Sequence, residues 1–166
     1  MLNDRILAEM REYVEHHLHE LVFVVSQPIH DLESEFILED IHEREIEDFI
    51  KNNRKPSLKQ ALFSFIDQKG ASDPEIYNKA GIDRRLFSKI RSNPNYRPGK
   101  NIIVALALAL ELDKTDTDEL LGAAGYSLSN SETADLVIQF CLEKKIYDID
   151  VINYALDSFS LKPLIR

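Results

Sequence analysis

The stretch "IYNKAGIDRRLFSKIRSNPNYRPGK", Ile76 to Lys100, holds seven basic residues and one acid in a chain whose formal charge is −9. Its local grammar is that of two short helices joined by a tight turn. Ser72 precedes "DPEIYNKA" as an N-cap, with Pro74 in the first turn; "GID" makes the turn; Asp83 caps "RRLFSKIRS". At about 100° per residue, Leu86, Phe87 and Ile90 share one sector of the second helix, and Arg84, Arg85, Ser88 and Ser92 share the opposite one. The hydrophobes are thus expected to face a core and the arginines to face outward.

The flanking segments continue the helical pattern. Upstream, "NNRKPS" reads as a linker in which Pro56 and Ser57 prepare a helix, "LKQALFSFIDQK", stopped by Gly70. Downstream, "NPNYRPGK" is a loop, "NIIVALALALEL" a buried helix and "TDTDELLGAAGY" a further one. At the N-terminus Asn3 caps a long amphipathic helix whose apolar positions are Ile6, Leu7, Met10, Val14, Leu18, Leu21, Val22 and Val25, ended by "SQP" at Ser26 to Pro28. Asp31 to Asn53 reads as a second, very acidic helix with a break near Leu38 to Ile41. At the C-terminus Ser131 with Glu132 opens one helix, and Asp148 or Asp150 opens a final one. Its hydrophobes, among them Leu136, Val137, Phe140, Cys141, Ile146, Ile149, Ile152, Tyr154, Leu156 and Phe159, are too many to leave wet. The expected architecture is all-α: an acidic helical region over 1–55, a five-helix bundle over 56–130, and an extension over 131–166 packed on the bundle or on a partner.

"IYNKAGIDRRLFSKIRSN" resembles the helix-turn-helix of the lambda-repressor-like (Cro/CI, xenobiotic-response-element type) DNA-binding family. Ile76 falls at the hydrophobe of the family's second helix, Ala80 at its small packed residue, Gly81 at its left-handed turn, Ile82 at its buried turn hydrophobe, and Phe87 and Ile90 on the buried face of its recognition helix. The helix order from about Ser57 to Tyr126 is similar as well. "AGIDRRLFSKIRSNPNYRP", "ALALALEL", "LLGAAGYSLS" and "YDIDVINYAL" resemble a module of uncharacterised bacterial proteins, sometimes C-terminal to a macro domain. The resemblance implies a transcriptional regulator that docks on double-stranded DNA. Arg84, Arg85 and Ser88 would then read base edges, while Lys89, Arg91, Arg97 and Lys100 would hold phosphates. It also implies a homodimer, formed through the N-terminal or the C-terminal helices. One departure is Asp73, where the family often has Gln; an acid there would repel a phosphate backbone.

Charge supports a local reading. Residues 1–50 carry 14 acids and 3 bases, residues 51–55 add +3, residues 56–130 come to +1, and residues 131–166 to −2. The acidity is N-terminal, and a charge more than about 8 Å away is largely screened at physiological salt. A second reading keeps the bundle as a scaffold or adaptor without DNA binding, its acidic first 50 residues or residues 131–166 docking a protein partner.

Other classes find little support at 166 residues with one cysteine. No apolar run approaches the roughly 20 residues of a membrane span, and the N-terminus lacks a secretory pattern, so the expected location is cytoplasmic. Cys141, inside "LVIQFCL", reads as a buried, inert thiol. Glu12, His16 and either His19 or Glu20 share a helical surface that could hold a cation, but "HHLHE" lacks the His-Glu-x-x-His spacing, and a solvated face is the better reading. No phosphate-binding glycine loop, nucleophile elbow or acid–base pair is evident, so no enzyme, metal or cofactor is expected.

Overall fold

Ser57 starts the helical bundle as a local event. Its hydroxyl accepts the Gln60 N–H, and the Gln60 side chain accepts the Ser57 N–H, closing a capping box that opens α3, Leu58–Lys69. Gly70 ends this helix in the left-handed conformation (φ 66°). The computed structural model describes residues 4–25 and 43–166, with side chains of the first helix described as far as Leu18. The Asn3 cap, the stop at Ser26 to Pro28 and the break near Leu38 to Ile41 lie outside the described residues, as do residues 31–42 of the expected second helix.

Within the described residues every element is helical: α1 Asp4–Val25, α2 Glu43–Asn53, then α3, α4 Asp73–Lys79, α5 Arg84–Ser92, α6 Lys100–Ala109, α7 Lys114–Ala123, α8 Thr133–Glu143 and α9 Ile149–Ser158. The chain is therefore all-α over the described residues.

Two sequence expectations are corrected. The helix read as "NIIVALALALEL" ends at Ala109, because Leu110 caps it and Glu111 turns left-handed (φ 53°). That turn lets the Leu112 N–H return to the Ala107 carbonyl at 3.1 Å and drops the Leu112 side chain into the core. The Ser131–Glu132 capping pair does not form either. Glu132 stands at the cap of α8 without a side-chain hydrogen bond, and Ser131 donates its N–H to Ser129 Oγ. Of the two candidates for α9, Asp148 is the cap, accepting the N–H groups of Asp150 and Val151 at 2.9 and 3.2 Å.

The core is centred on α6, whose Ile103 through Ala109 are all buried. It is continuous with Leu62 and Ile66 of α3, Leu120 and Leu121 of α7, Leu136 and Phe140 of α8, and Ile152 and Leu156 of α9. The extension over 131–166 thus packs on the bundle. Met10 and Val14 of α1 join the same core. Around them Tyr13 stands edge-on to Phe140 at 5.7 Å and donates to Glu143 at 3.0 Å, while Glu9 pairs with Lys144 at 3.2 Å. The first helix is fastened to α8 by an apolar stripe with polar ties at its rim.

Candidate nucleic-acid interface

The turn between α4 and α5 follows from three local features. Ala80 returns its N–H to the Ile76 carbonyl, and Ile82 returns its own to Tyr77 at 2.9 Å. Between them Gly81 takes φ 66°, a conformation cheap only for glycine. Asp83 then accepts the Arg85 N–H at 2.6 Å and opens α5. With Ile82 buried beneath the turn, α4 and α5 are held as one unit.

The seating of α5 fixes which side chains reach solvent. Phe87 and Ile90 are 2% and 1% exposed, and Leu86 is half-buried. Phe87 meets the rings of Phe63, edge-on at 6.0 Å, and Tyr77 at 5.6 Å. Arg84, Arg85, Ser88, Lys89, Arg91 and Ser92 are exposed, as the helical spacing requires. No acid lies on α5 itself.

Not all of these cations are equally available. Arg84 and Arg85 have no ion-pair or ring partner among the described residues. Lys89 lies over the Tyr96 ring at 5.8 Å, and Arg97 stacks on Tyr126 at 4.3 Å. Tyr126 donates to the Pro98 carbonyl at 3.1 Å, so Arg97 projects from a loop pinned to the end of α7. Gly125 precedes Tyr126 with φ 77°, a left-handed conformation that favours glycine. Ring stacking leaves the charges of Lys89 and Arg97 uncompensated.

Arg91 and Lys100 are differently placed. Arg91 pairs with Asp73 at 2.5 Å and lies over Phe63 at 4.3 Å, bracing the start of α4 against the end of α5. The acid expected to repel phosphate is thus compensated within the motif. Lys100 reaches Asp135 of α8 at 2.5 Å, and the same carboxylate oxygen accepts the Ser129 N–H at 2.7 Å. Asp135 is 6% exposed, so an uncompensated charge there would be costly. Lys100 therefore joins α6 to α8.

Elsewhere, Cys141 is fully buried, and burial pushes its thiol up to about 12, which fits an inert core residue. His19 and Glu20, part of the histidine-rich surface of the first helix, have side chains outside the described residues. No helix of the described residues is long and apolar enough to cross a membrane. Sequence reasoning missed Phe63, Asp135, Tyr126 and Ser129 as partners of the basic residues. No local signal marks them, since each comes from a different helix or loop. Comparison with protein-family models, with curated proteins and with solved structures finds no match to this chain.

Proposed function

We propose that the chain is a cytoplasmic DNA-binding regulator of lambda-repressor-like architecture that lays α5 in the major groove of double-stranded DNA. The observation that carries this reading is the face of α5: Arg84 and Arg85 stand exposed at its N-terminal end without a carboxylate partner, beside Ser88 and Ser92, on a helix whose opposite side is seated in the core. An arginine at such a position offers two parallel hydrogen bonds to a guanine edge. Lys89 and Arg97 supply phosphate contacts on either side. Arg91 and Lys100 serve as braces, because a phosphate would have to displace their carboxylates.

The adaptor reading draws support from those same two ion pairs, which lower the number of free cations near α5. Binding of the full chain to mixed-sequence duplex DNA, followed by fluorescence anisotropy against salt, separates the two. For the regulator, the logarithm of affinity falls linearly with the logarithm of salt, with a slope of about 0.9 per phosphate neutralised. Arg84→Ala/Arg85→Ala abolishes detectable binding, and Lys89→Ala or Arg97→Ala each reduces the slope by about 1. No binding at low salt, or binding indifferent to the double substitution, would leave the adaptor reading in its place.

A further inference from the structure

Four large hydrophobic side chains are exposed among the described residues, and three of them stand on α2: Ile46 at 45%, Phe49 at 68% and Ile50 at 46%. They are not scattered. Their spacing of three and four residues puts them on one stripe, and none packs against the core. An isolated helix of 11 residues is marginal in water, so this stripe calls for a cover.

The charge pattern identifies the cover. Glu43, Glu45, Glu47 and Asp48 outnumber the one base, Arg44, in the first half of α2, and Arg44 lies about 100° round the helix from Glu43, away from the stripe; Lys51 lies in its last turn, with Arg54 and Lys55 immediately beyond. The Arg54 N–H still donates to the Ile50 carbonyl at 3.0 Å, so Arg54 continues the helical path. At about 100° per residue Glu43, Glu47 and Arg54 share the flank next to Ile50. Antiparallel helices bring like flanks together, so Glu43 of one α2 would lie opposite Arg54 of another, twice over by symmetry. A parallel pair would put acid on acid. The basic face of α5 offers charge but no apolar stripe to receive Phe49.

We propose that α2 pairs antiparallel with α2 of a second copy of this chain, Ile46 of each against Ile50 of the other and the two Phe49 rings flanking the two-fold axis. Three large side chains per helix fall short of the roughly 800 Å² per partner of a standard interface, so the pair is a weak dimer with micromolar dissociation.

Sedimentation velocity of the full chain without DNA, from about 1 to about 300 μM, reads this independently of any nucleic-acid role. The mass should rise from monomer towards dimer, and Phe49→Glu should hold it at monomer with an unchanged circular dichroism spectrum. Glu43→Arg and Arg54→Glu should each weaken the dimer about five- to tenfold, and Glu43→Arg/Arg54→Glu should restore it to within about threefold. A wild type that stays monomeric overturns the proposal in favour of a cover from the same chain or from a different protein. A dimer indifferent to Phe49→Glu moves the contact to another surface, and a double variant as weak as the single ones rules out the antiparallel register.

Discussion

At Lys100 a charge that belongs by sequence to a basic run is used to neutralise a buried carboxylate 35 residues away. Asp135 keeps two donors, the Lys100 ammonium and the Ser129 N–H. Lys100→Met keeps the apolar stem and leaves that carboxylate with one donor. Removing one partner of a buried ion pair costs about 3 kcal/mol, here less because the Lys100 side chain is 28% exposed. Urea denaturation should therefore show a loss of about 2 kcal/mol for Lys100→Met, and Asp135→Asn should lose less, since its amide oxygen still accepts both donors. Arg91 follows the same logic at the surface: its pair with Asp73 is more than half exposed on the arginine side, and its packing on Phe63 contributes alongside charge.

Among the elements, α1 is held on α8 by contacts that depend on pH. The Tyr13 phenol is pushed up to about 12 by burial first, then by its hydrogen bond to Glu143 and that carboxylate's charge. A group whose pKa is raised on folding contributes fully below its unfolded value, here about 10, and loses that contribution as pH rises through the folded value. The thermal midpoint should fall between pH 10 and 12 more steeply for the wild type than for Tyr13→Phe. The difference between the two curves isolates Tyr13 from Cys141 and Tyr147, whose pKa values are also raised by burial. Both boundaries of α3 and the start of α5 were legible in the sequence because each is set by a cap or a left-handed glycine within a few residues. The end of α6 was not. "IIVALALALEL" is apolar throughout, and only the core beneath it determines that Leu112 turns back inward while Glu111 points to Lys69 at 3.4 Å.

For the whole molecule, the core joins α3 through α9 and takes in α1. Cys141 lies within it, fully buried, on the extension that a reading by segments sets apart from the bundle. One cooperative unit is the consequence, so far-UV circular dichroism and the reactivity of Cys141 with a thiol reagent should give the same urea midpoint. A lower midpoint for the thiol would mean that the extension unfolds separately.

The division of charge was visible at this scale in the sequence: the acids gather in residues 1–50 and the bases around α5. So was the outward face of α5, because helical spacing alone separates Arg84, Arg85 and Ser88 from Phe87 and Ile90. Sequence also determined the capped starts and the Gly81 turn, since backbone hydrogen bonds and φ preferences act over a few residues. Only the tertiary structure decided which cations stay free. Asp73 reaches Arg91 because the Gly81 turn brings the start of α4 to the end of α5, and Asp135 reaches Lys100 because the first turn of α8 is brought beside the first turn of α6. Charges separated along the chain compensate one another only when the packing of helices brings them within a few ångströms.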